Sequence, residues 1–155
     1  MIDQNISNAV SAILAAVRIG IEWGRPWIKP GKTNDNTKIS DQENTITKAL
    51  GVLAENGLYA MAVFLVSCKN ETYGDLVLTR HLAGLWQEAK IETGRILIPQ
   101  GQEKANKEDM FGAIQKIADD LPQLILAKKL AEQAMTFARY HAKAEVKAPA
   151  AGEQP

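Results

Sequence analysis

The chain has 155 residues, a formal net charge of zero from 18 basic and 18 acidic side chains, and one cysteine. A chain of this length most simply forms one domain around one core. Because the charges cancel, no overall field draws the chain to nucleic acid or to an anionic membrane, so a polyanion site must come from local clustering of charge.

A lone cysteine excludes an internal disulfide and is typical of a reducing compartment, so we expect a cytoplasmic protein. The N-terminus lacks a basic segment followed by an apolar one, which predicts no signal peptide. The longest apolar run is about half of the ~20 residues that a membrane span needs, so no membrane association is expected.

The first helix is predicted over residues 6–23, where apolar residues form two lines at helical spacing. One line consists of Ile6, Val10, Ile13, Val17 and Ile21, and the other of Ala12, Ala16, Ile19 and Trp23. Two apolar faces indicate either burial on two sides or one face kept for a partner. We hypothesise that Ala12, Ala16 and Ile19 face another copy of the chain or a neighbouring subunit.

A long basic loop is predicted over residues 24–38, where Pro26, Pro30 and Gly31 interrupt the helical spacing. Its charged residues are the lone acid Asp35 and the bases Arg25, Lys29, Lys32 and Lys38. Two interpretations of Trp27, which lies among them, stay open. In the first, Trp27 packs onto the core and the lysines are merely solvated. In the second, the loop is a mobile basic arm whose aromatic ring stacks on a base.

The second helix is predicted to begin at a capping box formed by Ser40 and Glu43. It ends at Asn56 and Gly57, where a glycine with positive φ turns the chain. Almost every side chain from Leu58 to Cys68 is apolar, so we expect this third helix to be covered all round, at the centre of the bundle.

A fourth helix is predicted over residues 71–91, Asn106 begins a fifth, and Asp120 begins the last one. No strand is predicted. Residues 148–155 are predicted to be a disordered Ala/Pro tail. The sequence therefore predicts an all-α fold, a single-domain bundle of about six helices over residues 1–147 around a central apolar helix.

Few residues could carry catalysis. His81 and His141 lie in no Glu-x-x-His or His-x-x-x-His pattern, and no phosphate-binding glycine motif is present. Cys68 ends the most apolar helix, where a thiol usually acts as a small hydrophobic filler. A helix-turn-helix DNA reader is also excluded, since the helix after Gly57 offers almost no polar side chain to a base edge. We predict that the protein is not an enzyme and carries no metal and no cofactor.

Basic residues share one side of the last helix. At about 100° per residue, Lys128, Arg139, Lys143 and Lys147 fall within about 100° of one another. Such a row is either a solvated face or a track that neutralises successive phosphates of a nucleic acid.

Three stretches carry a resemblance to a known family. They are the corner Asn56-Gly57-Leu58, the apolar helix that ends at Ser67-Cys68-Lys69, and the closing residues 131–140, which are rich in alanine and include Phe137, Arg139 and Tyr140. This pattern resembles the small subunit of Cmr-type (type III-B) CRISPR effector complexes, over roughly residues 6–145. The loop at 24–38 and the tail have no counterpart in it.

The resemblance implies a non-catalytic, all-helical subunit of an antiviral ribonucleoprotein. Such subunits stack as a filament beside other subunits and line the channel where guide RNA pairs with target RNA. The partners would be the other subunits, the guide RNA and the target RNA, with weak self-stacking. Specificity would come from base pairing, while the subunit holds the RNA backbone.

Seven basic residues are therefore candidates for contact with RNA: Arg18, Arg25, Lys29, Lys32, Lys128, Arg139 and Lys143. The alternative is a helical protein–protein adaptor or scaffolding domain that binds no RNA.

Overall fold

Most of the residues that the structure describes lie in helices. In the computed structural model the described residues are 14, 16–23, 27–28, 36–37, 39–67 and 71–147. The first helix, α1, covers the described residues 16–23. The remaining elements, in chain order, are β1 (Trp27–Ile28), β2 (Asn36–Thr37), α2 (Ile39–Ser67), α3 (Glu71–Leu76), a π-helical turn (Val77–Leu82), α4 (Ala83–Glu88), α5 (Lys107–Ala118) and α6 (Leu121–Lys147).

The predicted all-α bundle is confirmed. Because α3, the π-helical turn and α4 form one continuous run, the described part has five helical runs, slightly fewer than the six expected. The difference arises because α2 stays helical on both sides of Gly57. Within the predicted basic loop, β1 and β2 form an antiparallel pairing of two residues each, too short to leave an alternating pattern in the sequence.

Gly57 divides α2 into two arms, as predicted. Its φ of 92° and ψ of −176° lie in a region that is essentially restricted to glycine. A Cβ placed at Gly57 would meet nothing within 4 Å, so backbone conformation alone, rather than crowding, requires glycine there.

The arm after Gly57 is not covered all round, and that prediction is wrong. Leu58, Met61 and Leu65 are buried, but Tyr59 is 57% and Val63 41% exposed. The buried side packs into the bundle, and at Gly74 of α3 a Cβ would overlap the carbonyl oxygen of Leu65. Neighbouring helices cover this arm on one side only, so its other side presents an uncharged surface. Cys68 lies outside the described residues.

Within the described part, the stretch Asp41–Ser67 of α2 is the one helix long and apolar enough to cross a membrane. The core helix of a soluble protein, which is mostly buried, meets the same criterion; here 33% of the relevant window is buried, and this is a single helix. The helix is therefore weak evidence for a membrane span.

The hypothesis that one line of α1 faces another copy is wrong for Ala16 and Ile19. Both are buried in their own chain, whereas Leu14 on the other side is 63% exposed. The reason is the close approach of α1 to α6 at Gly20, where a Cβ would lie 2.7 Å from the Ala134 carbonyl oxygen. Ala12 lies outside the described residues.

The remaining helices begin where local signals predicted. The side chain of Asn106 caps α5 by accepting a hydrogen bond from the Glu108 N–H, and α6 begins directly after Asp120. The loop between α4 and α5 is tied down as well, because the Ala105 N–H donates to the Thr79 carbonyl of the π-helical turn over 2.8 Å.

Candidate nucleic-acid interface

The long helix α6 packs through small residues. Its fully buried positions include five alanines: Ala127, Ala131, Ala134, Ala138 and Ala142. Small side chains allow α6 to lie close to its neighbours, and its longer polar side chains point away from the core.

The predicted basic row follows one side of this helix. Lys128, Arg139 and Lys143 fall within about 60° of one another and extend over about 22 Å at the rise of an α-helix. The side chains of Lys128 and Lys143 are 39% and 40% exposed, so each keeps its stem on the protein and its ammonium in solvent. The side chain of Lys147 lies outside the described residues. We call Lys128, Arg139 and Lys143 the α6 basic row.

Two carboxylates lie beside the α6 basic row. Lys143 Nζ is 4.0 Å from Oε1 of Glu43 on α2, and Lys128 Nζ is 4.0 Å from Oε1 of Glu132, one turn along. A separation of 4.0 Å is too long for a hydrogen bond, and partly exposed pairs of this kind contribute about 0–1 kcal/mol. Both ammonium groups therefore remain able to bind a phosphate.

Arg139 differs from the two lysines. It is partly buried, and its Nε is a buried donor with no hydrogen-bond partner in the described part of the chain. A buried donor without a partner costs about 1–3 kcal/mol. An acceptor oxygen brought by a ligand would remove that cost only if it reached this side of the guanidinium.

An aromatic side chain on the same helix was not among the predicted site residues. Tyr140 directly follows Arg139 and is 65% exposed. The sequence spacing could have identified it, because Tyr140 lies three residues before Lys143 and therefore beside it on the helix surface.

Arg18 lies in a different environment. Its guanidinium forms an ion pair with Glu88, and a second pair joins Arg80 to Glu22 at 3.2 Å. These four residues and Glu103 line an open groove of about 410 Å³ between α1 and the π-helical turn and α4.

The charge of this groove is unfavourable for an anion. Two arginines face three glutamates, and each arginine already has a carboxylate partner. The contacts of Arg18 therefore do not support its predicted role as a phosphate contact, and they separate it from the α6 basic row. Ion partners on other helices could not be read from the sequence.

His81 lies at the base of the groove, and its side chain is part of the buried core. It is 4% exposed and stacks on Trp23 of α1, with ring centroids 5.7 Å apart and planes 12° apart. Burial, aided by the positive charge of Arg80, lowers the pKa of His81 to about 3. A neutral, stacked imidazole joins α1 to the π-helical turn, and its Nδ1 has no hydrogen-bond partner in the described part.

The predicted loop contacts Arg25, Lys29 and Lys32 lie outside the described residues, so their relation to the α6 basic row stays a prediction. Within the described ranges no group of three or more histidine, cysteine, aspartate or glutamate side chains could hold a metal ion.

Comparison with protein-family models, with curated proteins and with solved structures gives no significant match. The resemblance to the Cmr-type small subunit is therefore supported by the sequence pattern alone, and the contacts with RNA stay predictions.

Proposed function

We propose that the chain is a non-catalytic helical subunit of a Cmr-type ribonucleoprotein and that it holds RNA through backbone phosphates. The observation that carries this proposal is the α6 basic row, in which Lys128, Arg139 and Lys143 lie on one side of a single helix. The row extends about 22 Å along the helix, which is long enough to meet several successive phosphates of one strand.

The row has the chemistry of a contact that does not read sequence. Lysine and arginine bind phosphate oxygens wherever they meet them, and phosphates are identical along a strand. Sequence recognition needs donors and acceptors that meet base edges, and specificity in this function is left to the guide RNA.

Exposed apolar surface supports the assembly part of the proposal. Tyr59 and Val63 lie on α2, whereas Leu121 and Ile125 lie one turn apart at the start of α6, and all four are exposed. Two different apolar surfaces on one chain suit head-to-tail contacts, which generate open filaments, better than a closed two-fold dimer.

The test measures, by fluorescence anisotropy, the affinity of the purified protein for two unrelated single-stranded RNAs of equal length. The measurement is repeated at several salt concentrations. We expect equal affinities for both sequences. The logarithm of affinity should fall with the logarithm of salt concentration with a slope of about −0.7 for each phosphate neutralised, or about −2 for the three residues of the row.

A matched variant identifies the surface. Replacing Lys128, Arg139 and Lys143 together by alanine should weaken binding to both RNAs and flatten the salt slope. The control is the triple variant Lys48→Ala, Lys104→Ala, Lys116→Ala. It removes the same charge from other surfaces and should change the salt slope less. Equal effects of the two triple variants would contradict a role for the α6 basic row.

The uncharged exposed face of α2 at Tyr59 and Val63 favours a second candidate, a helical protein–protein adaptor. An adaptor would show no RNA binding even at low salt, so the same measurement separates the two functions.

A further inference from the structure

We propose that Tyr140 stacks on an unpaired base, so that the α6 surface selects single-stranded over double-stranded RNA. This inference rests on the proposed RNA-binding function and adds to it the class of nucleic acid that the site prefers.

The position of Tyr140 brings an aromatic ring next to the α6 basic row. Residues three apart on a helix are surface neighbours, which places Tyr140 beside Lys143 at one end of the row. At about 100° per residue, Tyr140 lies about 60° from Lys143 and about 20° from the exposed Lys129. Tyr140 lies about 100° from Arg139 and about 120° from Lys128, so the ring shares its surface with Lys143 and Lys129.

The three tyrosines of the chain differ in what the fold requires of them. Tyr73 is buried, and its hydroxyl donates to the Trp23 carbonyl over 3.0 Å. Tyr59 is exposed, but its ring meets that of Phe111 edge-on, with centroids 5.7 Å apart. Tyr140 is 65% exposed and makes no ring contact or side-chain hydrogen bond within the part of the chain that the structure describes. Packing of the described residues therefore does not explain an aromatic side chain at this position.

The chemistry of a single strand fits this surface. A phosphate binds Lys143, and a neighbouring base places its face on the tyrosine ring. Every base has such a face, so stacking adds affinity without adding sequence preference. In a duplex the bases stack on one another and are paired, so the ring meets only the backbone.

The experiment compares Tyr140→Leu and Tyr140→Phe in the full chain, with oligouridine as the single strand and a mixed-sequence RNA duplex of the same length. We expect Tyr140→Leu to weaken binding to oligouridine by roughly tenfold and to leave duplex binding and the salt slope unchanged. Tyr140→Phe keeps the aromatic face and should bind as the wild type does. Since the side chain is exposed, both variants should melt as the wild type does.

A spectroscopic measurement reports stacking directly. A 2-aminopurine placed within a single-stranded RNA should be quenched further by the wild type and by Tyr140→Phe, and not by Tyr140→Leu. Equal loss of single-strand and duplex binding in Tyr140→Leu, or no loss at all, overturns the stacking role while the wild type still binds RNA. Failure of the wild type to bind any RNA at low salt overturns the proposed function, and the stacking role with it.

Discussion

The imidazole of His81 lies parallel to the indole of Trp23, with the ring centroids 5.7 Å apart. This contact joins α1 to the π-helical turn, as the ion pair between Glu22 and Arg80 also does. The stack is buried, so the charge state of His81 bears on the stability of the fold.

The stability of the protein should fall as the pH is lowered from 7 to 5. Burial holds the pKa of His81 at about 3, below the ordinary value of 6.5 that it regains on unfolding. Between these values the unfolded chain binds a proton that the folded chain does not, so acid favours unfolding. The expected loss is about 2 kcal/mol between pH 7 and pH 5, or about 4–8 °C in Tm.

His81→Phe keeps the stack on Trp23 and removes the titrating group, so it should abolish most of that loss. Carboxyl groups ordinarily titrate below this window, which leaves histidine as the main source of the dependence. A thermal melt with the same pH dependence in wild type and His81→Phe would contradict the assignment.

Gly57→Ala should destabilise the protein by about 1–3 kcal/mol, measured as a fall in Tm. With φ of 92°, Gly57 has a conformation that L-residues rarely adopt, although a Cβ would have free space there. The control is Gly51→Ala on the same helix, where a Cβ also meets nothing within 4 Å and no positive φ is found. That change should stabilise the protein by about 0.5–1 kcal/mol, since alanine is the better helix former. Shifts of the same sign at both positions would refute the conformational requirement at Gly57.

Gly20→Ala should destabilise the protein for a different reason, which is crowding. Its Cβ would lie 2.7 Å from the Ala134 carbonyl oxygen and from Phe137 Cβ, so α1 must move away from the backbone of α6. Overpacking of this kind typically costs about 1–3 kcal/mol. The comparison is Gly84→Ala, whose Cβ meets only the Ile19 and Ile98 methyl groups at 3.8 and 4.0 Å and should be tolerated. Urea denaturation of the two variants decides between crowding and a general intolerance of alanine.

The helix boundaries could be predicted because their signals are local. Asn106 caps α5 through its own side chain, and Gly57 turns the chain through its own φ. The buried face of α1 could not be predicted, because both apolar lines have helical spacing. The choice between them is made by the approach of Gly20 to α6, a contact between residues more than 100 positions apart.

In the candidate site, too, the features set by local spacing could be predicted, and those set by contacts between helices could not. The α6 basic row follows from the helical period, so the sequence was sufficient to place Lys128, Arg139 and Lys143 on one side. The carboxylates that accompany basic residues come in part from other helices, as Glu43 does for Lys143 and Glu88 for Arg18. Such partners depend on packing, which no local pattern specifies, and they decide which basic residues remain available for a ligand.

Glu43→Gln should increase the affinity for RNA at low salt by about two- to fivefold. The Glu43 carboxylate lies 4.0 Å from Lys143 Nζ and competes with a phosphate for that ammonium, with an energy of the order expected for a partly exposed ion pair. The gain should vanish at high salt, where the pair and the phosphate contact are both screened. The matched control is Glu88→Gln, which releases Arg18 in the acidic groove and should leave the RNA affinity unchanged. Fluorescence anisotropy with one single-stranded RNA measures both variants. A gain in Glu88→Gln without one in Glu43→Gln would move the RNA-binding surface from α6 to the side of α1 that carries Arg18.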